Sequence, residues 1–123
     1  MRPGDVLLAA LPQADGRGTD RPVLCLCVVP PFQDFLVCGI TTQLSNRVDA
    51  LDEVVAVTDD DYGTTGLKAA SLIRTAFVAL LPRSRFEGRI GFISRERHRR
   101  LLTSLAEFLA SAARRSSGSA NWS

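Results

Sequence analysis

Apolar positions in this chain follow two different periods. Up to residue 93 they come in short runs divided by Gly, Pro and charged clusters. From Ser94 they recur at helical spacing. The short runs predict β-strands over 6–11, 23–29, 35–40, 53–57, 71–81 and 86–93. Pro12, the polar Gly-rich stretch 13–20, the Pro30-Pro31 pair, connector 44–50, turn 58–66 and the Pro82 to Arg85 turn separate them. Leu24 and Leu26 alternate with Cys25 and Cys27, so strand 23–29 is apolar on both faces and reads as central. Gly88 and Gly91 predict a bent last strand. Leu101, Leu102, Leu105, Phe108, Leu109 and Ala112 form one helical stripe, and Ser94 fits the N-cap. The pattern therefore predicts a small β-rich domain of five to seven strands closed by a C-terminal helix. The domain is expected to end near residue 113, with 114–123 a polar, disordered tail.

The chemistry gathers around the second and third runs. If 23–29 and 35–40 pair antiparallel, Arg21 and Thr41 come to the same sheet edge. Arg offers a planar fork of donors and Thr adds a neutral one, which is a pair suited to phosphate. Pro22 holds Arg21 extended. Arg74 lies among Leu72, Ile73 and Phe77, and an Arg in an apolar strand must reach an edge or a partner.

Length and composition bound the class. At 123 residues the chain makes one domain, and 46% hydrophobic with 23% charged residues is ordinary for a globular protein. No apolar run is long enough for a membrane span, and no signal peptide opens the chain. Cys25, Cys27 and Cys38 all lie in apolar runs and read as reduced core residues. The formal net charge is only +2, but its distribution is uneven. Residues 49–61 hold six acids and no base; residues 83–100 hold seven Arg and His98 against two Glu. These are two solvated faces of opposite sign, or a basic surface for an acidic partner. Asp59, Asp60 and Asp61 read as a solvated loop, because calcium loops space their ligands at alternate positions. The dipole disfavours the Arg residues that open the helix, and His98 among them reads as exposed.

The order of motifs is specific. Gly4-Asp5 precedes the first strand, and Thr19-Asp20-Arg21-Pro22 ends the Gly-rich loop. Ile40-Thr41-Thr42-Gln43 follows the third strand. Gly66-Leu67 stands before Ser71-Leu72-Ile73-Arg74, and Ile90-Gly91-Phe92-Ile93-Ser94 before the helix. Over roughly residues 3–112 this resembles the PemK/MazF/Kid family of toxins from type II toxin–antitoxin systems. The resemblance implies a partly open β-barrel of the CcdB/MazF type, Src-homology-3-like, within the β-rich α+β class. It implies a cytoplasmic homodimer, a cognate antitoxin, and cleavage of single-stranded RNA with no metal or cofactor. The family's Arg-Pro arginine matches Arg21, its Thr-x-Gln threonine matches Thr41, and its late-strand Arg matches Arg74. Arg17, Thr42, Gln43 and Arg74 are the implied RNA-binding positions. Family members often carry His or Glu in the first loop, where this chain has 15–20, Asp-Gly-Arg-Gly-Thr-Asp. Some place Asp two residues after the late Arg, where this chain has Ala76. Asp20, and after it Asp15, are the substitutes for the general base. Two other readings belong to the same barrel. One is a non-catalytic protein that binds RNA or antitoxin. The other is a CcdB-like gyrase poison, for which Trp122 would have to serve as the terminal aromatic.

Overall fold

A computed structural model describes residues 1–12 and 18–117. The strands are β1 (Asp5–Pro12), β2 (Gly18–Val29), β3 (Asp34–Thr41), β4 (Glu53–Val55), β5 (Ser71–Leu81) and β6 (Phe86–Phe92), followed by helix α1 (Arg95–Ser117). They form one antiparallel sheet in the order β4-β5-β3-β2-β1-β6. The sheet is not closed, as β4 and β6 remain its two edges. The strands and terminal helix are those the pattern predicts, and the open sheet is the partly open barrel that the resemblance implies.

Strand alternation divides the core into two clusters, one on each face. The helix-side cluster holds Val6, Leu24, Leu26, Cys38, Ile40, Val55, Ile73 and Ile93 with Leu101 of α1. The other holds Leu7, Ala9, Val23, Cys25, Phe35 and Val37. Phe35 stacks at a tilt on Phe86, ring centroids 5.3 Å apart, and the Arg83 guanidinium lies 4.9 Å over its ring. Cys25 and Cys38 are buried and all three cysteines are free. Burial pushes the Cys25 thiol up to about 12 and Cys38 higher still, so neither is a thiolate at neutral pH.

Several boundaries differ from the sequence reading. The strand expected over 53–57 is only Glu53–Val55, since Val57 is exposed in the turn that follows. The stretch read as loop 13–20 ends early, because Gly18, Thr19 and Asp20 already pair with Pro12, Leu11 and Ala10. Residues 13–17, including Asp15 and Arg17, lie outside the described residues. The helix continues to Ser117, four residues into the expected tail. Ala112 and Ala113 favour helix, and Arg114 and Arg115 complement the dipole in its last turn. Trp122 lies outside the described residues.

The turn from Ala56 to Leu67 packs across β6 beside the sheet opening. The Thr64 hydroxyl donates to the Phe92 carbonyl at 2.9 Å. Gly66 has φ +73, and a β-carbon there would strike the Ile90 carbonyl. A β-carbon on Gly91 would strike the backbone of Thr64 and Thr65. Backbone cannot swing aside as a side chain can, so Gly91→Ala is expected to destabilise by about 1–3 kcal/mol. Urea unfolding checks this, and a change inside the error of the extrapolation would show that the turn yields.

Candidate functional site

β2 and β3 pair antiparallel through Val23 with Gly39, Leu24 with Cys38 and Cys25 with Val37. Carried on two residues, this register sets Arg21 opposite Thr41. Directly opposed residues share a face, with β-carbons roughly 5 Å apart. Arg21 pairs on its other side with Ala9, a member of the cluster that contains no helix residue. Arg21 and Thr41 thus stand at the end of the face turned away from α1. Arg21 is exposed and Thr41 half-buried. The Thr41 hydroxyl oxygen accepts the Gln43 N–H at 3.1 Å, leaving its own proton free to donate outward.

Arg74 joins the same face. It pairs with Gly39, which lies two residues before Thr41 on β3. Arg74 is half-buried, and its Nε makes no hydrogen bond among the described residues. Just after it β5 bulges, because Cys38 pairs with Val78 while Gly39 pairs with Arg74. The looped-out residues are tied down from the connector before β4. The Thr75 hydroxyl donates to the Leu51 carbonyl, and buried Asp52 accepts the Ala76 N–H at 3.2 Å and the Val48 N–H at 2.9 Å. Three donors, Arg21, Thr41 and Arg74, therefore converge on one end of one face. Together they can hold a phosphate and offset added negative charge.

The other expected positions do not all gather there. Alternation sends Asp20, exposed and paired with Ala10, to the opposite face from Arg21. The register does not bring it together with Arg21 and Thr41. Thr42 and Gln43 are exposed just past Thr41. Among the described residues no group of three or more His, Cys, Asp or Glu could hold a metal ion.

The acidic and basic runs do something the sequence reading missed. Asp61 is buried rather than solvated, and Arg97 of α1 is buried against it. Arg97 Nε and Nη2 donate to the two Asp61 oxygens, each at 2.9 Å. Arg97 also reaches Asp59 at 2.9 Å, Glu53 at 3.0 Å and the Val54 carbonyl at 3.2 Å. The Arg97 fork holds the Asp61 carboxyl down to about 2, against the cost of burial and with help from the Ser94 N–H. The Ala56 N–H, then Arg97, lowers Asp59. The dipole conflict at the helix start is resolved here. Ser94 Oγ accepts the Arg97 N–H at 3.1 Å as N-cap, and Asp61 accepts the Ser94 N–H at 3.0 Å. His98 is half-buried, not exposed: its Nε2–H donates to the Leu26 carbonyl at 2.8 Å. A shallow depression lined by Asp59, Asp60, Asp61, Ser94, Glu96, Arg97 and Arg100 lies on this side. Within it Arg97 is committed to Asp61 and Asp59, and Arg100 is drawn out to Glu53. One sequence signal pointed to Arg97, which stands four residues before Leu101, in line with the buried stripe.

A family model described as the PemK-like, MazF-like toxin of type II toxin–antitoxin systems matches residues 2–109. The chain belongs to that family. No individual curated protein matches it. Membership in the PemK-like, MazF-like family makes the chain a toxin-family protein with an implied antitoxin partner. The matched span takes in Arg21, Thr41, Arg74 and most of α1. No helix among the described residues is long and apolar enough to cross a membrane.

Proposed function

We propose that this PemK/MazF-like protein is an endoribonuclease toxin that cleaves single-stranded RNA in the cytoplasm without a metal. The observation that carries the reading is the β2–β3 register, which aligns Arg21 with Thr41 on the face that Arg74 also reaches. In the proposed reaction the ribose 2′-oxygen attacks the adjacent phosphorus and the bond to the 5′-oxygen breaks. The 2′-proton leaves to a base, and the departing oxygen takes up a proton. The products are a cyclic phosphate and a 5′-hydroxyl. Charge builds on the phosphorane between these steps. Arg21 offsets that charge and is suited to protonate or hydrogen-bond the leaving oxygen, while Thr41 orients the phosphate. Arg74 adds a second cation, and Arg17, Thr42 and Gln43 are proposed contacts to flanking nucleotides. Asp20 is the proposed base, and Asp20→Asn tests it.

The protein is proposed to act as a homodimer, bound and silenced by a cognate antitoxin. The test is incubation with a long single-stranded RNA in excess EDTA. Discrete fragments are expected. Binding of RNA or of an antitoxin peptide without any fragment would overturn the enzyme reading in favour of a binding protein.

A further inference from the structure

Phe77 is a large apolar side chain that the core does not use. It is 55% exposed, although it belongs to a strand whose neighbours Leu72 and Ile73 are fully buried. It falls in the bulge of β5, where three residues leave the ladder between Arg74 and Val78. Its ring nevertheless has a fixed seat. A β-carbon on Gly39 would meet Phe77 Cδ1 at 3.3 Å, Cγ at 3.9 Å and Cε1 at 4.0 Å. The ring therefore occupies the space that a side chain at 39 would fill.

That seat lies on a known face. Residue 39 is opposed by Val23 on β2 and by Arg74 on β5. A β-carbon there would point to the same side as Val37 and Thr41. Phe77 thus rests on the face that carries Arg21, Thr41 and Arg74. Two residues along a strand span about 6.6 Å, so the ring is one such step from Thr41. One side of the ring is against the Gly39 backbone and much of the remainder is open to water. The two residues before Phe77 are tied to Leu51 and Asp52, which braces the bulge that carries the ring.

An anchored aromatic ring beside a cationic, phosphate-suited group is the pairing by which proteins hold single-stranded nucleic acid. Bases stack on the ring while the cations follow the backbone. We propose that Phe77 is a stacking platform for a nucleobase adjoining the phosphate held by Arg21 and Thr41. Phe77 is then a positioning residue for RNA, and Gly39 is the position whose missing side chain makes room for it. The inference rests on the endoribonuclease reading above.

The experiment pairs protein variants with altered RNA. Parent, Phe77→Leu and Phe77→Trp are each assayed on a short RNA containing the cleavage site. The assays are repeated with an abasic nucleotide on either side of that site. Phe77→Leu is expected to raise KM for intact RNA about tenfold, the scale of losing one base stack. kcat at saturating RNA should stay within about threefold, and Phe77→Trp should restore KM. On the RNA whose stacked base is absent, Leu and Phe should perform alike, since each change removes the same contact. The proposal is overturned if Phe77→Leu matches the parent on intact RNA, or if its penalty persists on both abasic RNAs. A shift in sedimentation of Phe77→Leu would overturn it too, and would assign Phe77 to a contact between chains. Thermal melting of each variant verifies that it is folded. If the parent neither binds nor cleaves RNA, the endoribonuclease reading fails with this one. If the parent cleaves and only the Phe77 results fail, that reading stands.

Discussion

Arg21→Ala is expected to lower the rate of RNA cleavage by about a hundredfold or more, the usual cost of removing one donor aimed at developing charge. The fold should be untouched. Arg21 is exposed at the end of β2, and its backbone pairing with Ala9 does not depend on the side chain. RNA affinity should fall far less than the rate, because the phosphate gains its extra charge only in the transition state. Arg21→Lys should recover part of the loss, since an ammonium supplies charge but not the two parallel donors of a guanidinium. Thr41→Val removes a neutral donor and should cost less than Arg21→Ala. Asp20→Asn separates two cases. With Asp20 on the opposite face, as alternation has it, cleavage persists and the proton acceptor lies elsewhere. A collapse in rate with RNA binding kept would identify Asp20 as that acceptor. Single-turnover cleavage of one labelled RNA by all four variants reads every outcome.

Arg97→Met should have the largest effect on stability, about 3–5 kcal/mol. Its guanidinium meets Asp61 through two hydrogen bonds, and the Asp61 side chain is only 8% exposed. Removing the partner leaves a buried carboxylate with no opposite charge beside it. Arg97→Lys should be nearly as damaging, because one ammonium cannot serve Asp61, Asp59 and Glu53 at once. The acid dependence follows from the direction of the shift. Asp61 is held below its ordinary 3.8, at about 2, in the folded protein. Its contribution is therefore complete above the ordinary value and is lost as pH falls toward about 2. Urea unfolding of the parent should lose stability over that interval. Arg97→Met should start lower and lose less across it. Equal slopes for the two proteins would show that other carboxylates govern acid unfolding.

Much of the fold could be read before the structure, because period two and period 3.6 are strong local signals. Strand β5 falls on Ser71–Leu81 as the apolar run predicts, and Ser94 caps α1 as its position suggests. The Arg21–Thr41 alignment was also legible, since antiparallel pairing across a short turn fixes which ends meet. The features that were missed depend on contacts distant in sequence. Asp61 and Arg97 are 36 residues apart, and the one local signal, Arg97 in line with the buried stripe, names no partner for it. Asp20 shows the limit of adjacency in sequence: next to Arg21 in the chain, it faces the other way in the strand. The helix stripe was read as one surface, yet only its first part is buried. Leu101 is fully covered while Phe108 and Leu109 are 38% and 59% exposed. Phe77 sits in an apolar run whose pattern does not announce its exposure, and the bulge after Arg74 brings it out.

The central claim is that this sheet end binds a phosphate so that the neighbouring ribose hydroxyl can attack it. The most direct measurement compares two RNAs that differ by one atom, the 2′-oxygen of the nucleotide before the cleavage site. With the parent protein in EDTA, the all-ribose RNA should be cut to a fragment with a 5′-hydroxyl. The RNA with a single 2′-deoxy nucleotide should bind with similar affinity and remain uncut. Cleavage of the deoxy RNA at the same bond and a comparable rate would contradict the account, because the attacking oxygen would then come from elsewhere.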